Sequence, residues 1–136
     1  MNTNILNRVN VLVKKTYYTY ERFEVDATFA LLYHSKPLDV IELSQFIRVS
    51  DHLIQLDEQH YFIIFAFTDQ TNAFKAAQNI VYSLDHHFND HTSRIALDTF
   101  DPTKSPQMVL NRLKQILSEI HKNAYVRIDT ENIFDS

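Results

Sequence analysis

The densest group of chemically versatile side chains is Asp85-His86-His87-Phe88-Asn89-Asp90-His91. Imidazole and carboxylate together bind zinc or nickel, and His86 and Asp90 share a face if one helix runs through both. The same run also suits a helix C-terminus, where histidine complements the macrodipole, and it meets no established ligand spacing; no metal site is expected. His34 and His60, with Glu58 near the second, form a further candidate for acid–base chemistry if the strands carrying them are neighbours. Without a placed acid the two histidines read more simply as structural, and no Ser–His–Asp arrangement follows from the spacing. Arg48 and Asp51, three residues apart, can form an ion pair where a helix ends and a strand begins.

Composition removes whole classes of chemistry. The 136 residues include no glycine, no cysteine and no tryptophan. Phosphate-cradling loops need glycine, because backbone N–H groups must approach the anion closely and often take positive φ. A Walker loop, a dinucleotide fingerprint and a nucleophile elbow are therefore all excluded. Without cysteine there is no disulfide framework, thiolate metal site or thiol nucleophile. A net charge of −4 argues against a partner that is nucleic acid. The apolar runs are too short to cross a bilayer and no secretory leader opens the chain, so a cytoplasmic protein without a membrane partner is expected.

The elements that must position these residues follow from periodicity. Residues 4–24 read as a helix with Ile5, Val9, Leu12 and Phe23 on one stripe and Tyr20 beside them. Residues 28–34 form a short apolar strand. Pro37 suits the first turn of a helix carrying Val40, Ile41, Leu43, Phe46 and Ile47. Residues 51–56 and 61–67 read as a hairpin around the polar turn Asp57-Glu58-Gln59-His60, the second strand being central. Asp69 or Thr71 caps a helix buried through Phe74, Ala77, Ile80, Val81 and Leu84. Residues 94–100 form a strand, and Ser105-Pro106 opens a helix with Val109, Leu110, Leu113, Ile116, Leu117 and Ile120 inward. A last strand is expected at 124–128, followed by a frayed acidic tail over 129–136. The result is an α+β chain, one domain over 1–136 with residues 1–25 as a lead-in helix, built as a central antiparallel sheet flanked by helices.

The stretch RVSDHLIQLDEQHYFIIF, residues 48–65, resembles the centre of a GGDEF domain, the diguanylate cyclase family. Arg48 and Asp51 fall on its Arg-x-x-Asp motif without a gap. The signature turn five residues later reads Asp57-Glu58-Gln59-His60-Tyr61, in which the aromatic alone is kept. The likeness continues through Thr68-Asp69 and TNAFKAAQNIV, more weakly over RIALDTF and the last helix and strand, and through the lead-in KKTYYTYERFEVDATFALL. The resemblance implies the ferredoxin-like nucleotide-cyclase fold.

It also implies what is lost. In the family, signature glycines admit GTP phosphates, and a signature acid joins an acid ending the first strand to hold magnesium. Here Asp57 and Glu58 replace the glycines, Gln59 offers a neutral amide, and the first strand ends in Tyr33-His34-Ser35-Lys36. The expectation is a protein that is not an enzyme and uses no cofactor. The family's Arg-x-x-Asp motif is an inhibitory site for cyclic di-GMP, so Arg48 and Asp51 imply a possible receptor, with Lys75 and Asn79 where a second arginine stands in many members. The alternative is a signalling module that docks a protein partner. Tyr17, Tyr18, Tyr20 and Phe23, with Ile5, Val9 and Leu12, offer a helical seam for a homodimer.

Overall fold

The computed structural model describes residues 3–23, 26–101 and 103–135. The elements are α1 (Thr3–Phe23), β1 (Ala27–Tyr33), α2 (Val40–Ser44), β2 (His52–Gln55), β3 (His60–Ala66), α3 (Gln70–Phe88), β4 (Arg94–Thr99), α4 (Pro106–His121), β5 (Ile128–Asp129) and a 3-10 turn, Glu131–Asp135. The sheet runs β2-β3-β1-β4-β5. Its first four strands are antiparallel, while β5 lies parallel to β4, so the sheet is mixed rather than wholly antiparallel.

β1 and β3 are continuous apolar runs because both faces of the sheet are covered. Phe29, Leu31, Phe62 and Ile64 point to a core closed by α1 and α4, where Val9, Val13, Leu113, Ile116 and Ile120 meet them. Ala30, Leu32, Tyr61, Ile63 and Phe65 point the other way, against Leu43 of α2 and Ala77, Ile80 and Leu84 of α3. The two-residue period of the strands thus builds two cores, each burial of a Leu, Ile or Phe contributing about 1.5–3 kcal/mol.

Helix starts follow local chemistry. Asp69, not Thr71, caps α3 by accepting from Asn72 N at 2.8 Å, and Ser105 caps α4 through Met108 N at 3.2 Å, with Pro106 at the first position. α2 is capped by Asp39, which accepts from Ile41 N at 2.9 Å; Pro37 therefore lies before the helix rather than in its first turn. With no glycine to end α3, Asn89 takes the left-handed conformation at φ 53°.

Three expectations are corrected. The expected seam of α1 faces inward: Val9, Val13, Thr16 and Tyr20 are buried, and Ile5, Leu12 and Tyr17 pack on the same core. Phe23 shares the helical phase of Ile5 but stands in the last turn and is exposed. The last strand begins at Ile128 because residues 123–126 are used in a turn, with Val126 N bonded to Asn123 O and Tyr125 N to Asn123 Oδ1. Through Asp135 the tail is ordered against α4: Thr130 is buried, accepts Ile133 N at 3.0 Å, and starts the 3-10 turn.

Candidate functional site

Arg48 lies in the turns that follow α2, where Asp51 N closes onto Arg48 O at 3.0 Å. Its Nε and Nη2 donate to Asp51 Oδ2 and Oδ1 at 3.1 and 2.7 Å, the two-pronged geometry that suits guanidinium and carboxylate. Nη2 also reaches Ala66 O at 2.8 Å and Thr68 Oγ1 at 2.6 Å, tying the turn to the end of β3. Asp51 in return accepts Arg48 N at 3.2 Å and Ala66 N at 3.0 Å. The Asp51 side chain is 1% exposed and its two oxygens take four donors; the Arg48 side chain is 54% exposed. The bond to Asp51 is the main cause that raises the Arg48 pKa above its ordinary value. Immediately past Ala66, Phe67 sits at φ 54° with its ring 5.3 Å from that of Tyr20, 66% exposed. A bulky residue in that region costs roughly 1–2 kcal/mol, so surrounding contacts must hold it there.

Lys75 and Asn79 are exposed on α3, and no hydrogen bond or ion pair joins either to Arg48 or Asp51. Lys75 instead lines a groove with Asp129, Thr130 and Asn132 beside β5, at the other edge of the sheet.

At the opposite end of the β2–β3 hairpin, Asp57 to Tyr61 form the turn. Leu56 N donates to His60 O at 2.8 Å, and the Asp57 carboxylate accepts Gln59 N at 2.8 Å and sits 2.9 Å from His60 Nδ1. Burial works against the Asp57 charge, but these donors prevail and hold its carboxyl below the usual range. Gln59 Nε2 donates to Ser35 O at 3.1 Å, and Gln59 O accepts His34 N at 2.9 Å. Tyr61 is buried, and its hydroxyl accepts Leu38 N at 3.0 Å and donates to Leu38 O. The turn and the loop 34–39 are therefore stitched together, leaving Glu58 exposed, its side chain without a partner among the described residues.

The sequence allows His34 and His60 to lie near each other on neighbouring strands; the structure parts them. Tyr33 is the register partner of His60 and packs on its ring at 5.5 Å, so His34 faces the other side of the sheet. There His34 is fully buried, stacked on Phe88 at 4.3 Å with Nδ1 2.6 Å from Ser93 Oγ and Nε2 3.5 Å from Asp90. Burial pushes its pKa down.

The Asp85–His91 run is likewise divided. Asp85 is gripped by Arg127 at 2.6 and 2.7 Å, which holds its carboxyl below the usual range. His87 reaches Glu42 at 3.5 Å and His86 stacks on Tyr82. Because α3 stops at Phe88, His86 and Asp90 share no helix face. Among the described residues no group of three or more His, Cys, Asp or Glu could hold a metal ion.

Sequence reasoning missed a crevice of about 380 Å³ between α4 and the sheet, lined by Asp57 and His60 of the turn and by Lys114, Ser118 and His121 of α4. On an amphipathic helix these three read as solvent face; their four- and three-residue spacing beside the buried stripe was the available signal. Burial, then Arg94 and His60, push the His121 pKa down.

This architecture is that of GGDEF domains. The chain superposes on the GGDEF domain of DgcB from Caulobacter crescentus, solved in complex with c-di-GMP, with a TM-score of 0.71 at 11% identity, over 88% of this chain and 86% of that one. An active GGEEF domain of a diguanylate cyclase from Vibrio cholerae gives 0.73 at 11% identity, covering 91% and 94%. Diguanylate cyclase SiaD from Pseudomonas aeruginosa, solved with its activator SiaC, gives 0.74 at 8% identity over 91% of this chain; the chain spans 57% of SiaD. No family model and no curated protein matches the sequence. The protein therefore has a GGDEF-like fold of the α+β class. No helix among the described residues is long and apolar enough to cross a membrane.

Proposed function

We propose that this is a non-catalytic signalling domain on a GGDEF-like fold, which acts by docking a protein partner. The observation that carries the first half is the stitching of the Asp57–Tyr61 turn to the loop 34–39 through Gln59 and Tyr61. A cyclase needs a phosphate cradle and at least two acids for a hard cation in that space. Here the donor set does not fit magnesium: His34 is engaged with Ser93, Gln59 with Ser35, Asp57 with His60, and Glu58 stands alone. Purified protein with GTP and magnesium is expected to make no cyclic dinucleotide. Turnover that is lost in Glu58→Gln would overturn the proposal.

Docking is favoured by the surface around the Arg48–Asp51 pair. Asp51 has no acceptor capacity left for a ligand, whereas Val49 and Phe67 beside it are exposed apolar groups, and Phe67 is held outward in a costly conformation. SiaD, which shares this fold over part of its length, was itself solved in complex with a protein, its activator SiaC. A second reading, a receptor for cyclic di-GMP, is favoured by one feature: the Arg48 guanidinium is half exposed and its Nη1 carries no bond among the described residues. Calorimetric titration separates the two. No heat with cyclic di-GMP is expected, and micromolar binding abolished by Arg48→Ala would replace docking with the receptor reading.

A further inference from the structure

The sheet has two edges, and they are not alike. β5 is two residues long and ends in the charged Asp129, so it offers little to a further strand. β2 is a four-residue edge, His52–Gln55, without proline or lysine, two residues that commonly blunt such an edge. Leu56 N donates to His60 O, and bonded and non-bonded positions alternate along an antiparallel pair. His52 and Ile54 therefore spend their backbone groups on β3, while Leu53 and Gln55 turn theirs outward. Among the described residues nothing takes up those two N–H and two C=O groups.

Two grooves of about 430 and 440 Å³ flank this edge and share Arg8 and Leu53, so they form one trough. α1 lines it with Val11, which is 52% exposed, and with Lys15 at the His52 end. Asp57 and Glu58 bound the other end, past Gln55. Asp57 is already held by His60 and by Gln59 N. Lys15 and Glu58 are exposed, and neither side chain has a hydrogen bond or ion pair among the described residues. Unclaimed charges of opposite sign thus stand at opposite ends of one unpaired strand.

That polarity selects the occupant, because a two-fold rotation reverses it. A second β2 laid antiparallel on the first, with the axis at Ile54, sets Leu53 against the second copy's Gln55 and Gln55 against its Leu53. Each pair exchanges two backbone hydrogen bonds, so every outward group finds a partner. The same rotation carries Lys15 towards the second copy's Glu58 and Glu58 towards its Lys15. A strand of uniform charge would suit only one end of the trough. We propose that β2 is a homodimer edge, at which a second copy of this chain pairs through Leu53 and Gln55, joins the two five-stranded sheets into one, and is fixed in register by reciprocal Lys15–Glu58 ion pairs. The α1 stripe of Ile5, Val9 and Leu12 stays in its own core, and the proposal does not rest on docking around Val49 and Phe67.

The test is sedimentation equilibrium of the full chain over about 5–500 μM, with amide hydrogen exchange measured at both ends of that range. A dimer with a Kd of roughly 10–100 μM is expected, and the Leu53 and Gln55 amides should exchange about threefold to tenfold more slowly at the higher concentration. Glu58→Lys and Lys15→Glu should each weaken the dimer about tenfold, since each acts at two symmetric contacts. Combining them should restore the affinity to within about threefold. Gln55→Pro removes an outward N–H that β3 does not use, so it should abolish the dimer while urea unfolding at about 1 μM stays cooperative. A monomer throughout the range, a dimer indifferent to both charge swaps, or one whose Leu53 and Gln55 amides gain no protection would overturn the proposal.

Discussion

The two ends of the β2–β3 hairpin were built for different purposes. At one end the Asp51 carboxylate is buried and takes four donors, two of them backbone N–H groups, so it holds the turn after α2 against the end of β3. At the other end Asp57 is surface-exposed, bonded within its own turn, and next to a Glu58 whose carboxylate has no partner among the described residues. A charged pair at the first end cannot be lost without leaving buried groups unsatisfied. The second end can drift, provided Gln59 and Tyr61 keep their bonds to the adjoining loop. An Arg-x-x-Asp motif can therefore persist for structural reasons alone, without a ligand to keep it.

This contrast can be broken in a graded way. The largest effect is expected for Asp51→Ala, which orphans Ala66 N and frees a guanidinium from its partner; unfolding in urea should show a loss of about 2–4 kcal/mol. Arg48→Ala should cost about 1–3 kcal/mol by the same measurement, less because the arginine is half exposed. Tyr61→Phe should cost about 1–2 kcal/mol, since Leu38 N and Leu38 O lose their partner inside the fold. Glu58→Ala at the drifted position should stay within about 0.5 kcal/mol.

A pH series sharpens the same point for His34. Burial holds its folded pKa below the ordinary histidine value of 6.5, so its contribution is present above about pH 6.5 and is lost as pH falls through the folded value, because the unfolded chain binds the proton first. Stability from urea unfolding should decline between about pH 7 and 5, and His34→Asn should flatten part of that decline. A profile identical in the variant would show that His34 titrates normally.

Much of the fold was legible. The continuous apolar run of residues 61–67, the Asp69 and Ser105 caps and the buried stripes of α3 and α4 are local signals, and tertiary packing did not override them. What failed depended on context. The Ile5–Val9–Leu12 stripe is apolar whether it meets a sheet or a second subunit, and periodicity cannot tell these apart. The tail around Thr130 and Ile133 is short and acidic, and its order comes from α4 rather than from its own propensity. At the site, the spacing of Arg48 and Asp51 was legible as a pair, but the acceptance of Ala66 N by Asp51 is a contact across fifteen positions. Asp57 and His60 meet Lys114, Ser118 and His121 only once α4 is packed on the sheet, which is why the α4 crevice had no counterpart in the sequence.

The most direct test of the account is calorimetric titration of the intact protein with cyclic di-GMP, run beside Arg48→Ala and beside GTP with magnesium. The account predicts no heat with either nucleotide, together with a melting temperature that falls by several degrees in Arg48→Ala, on the scale of ~2–4 °C per kcal/mol for chains near this size. Micromolar cyclic di-GMP binding that Arg48→Ala removes without lowering stability would contradict it, and would make the pair a ligand site rather than a clamp.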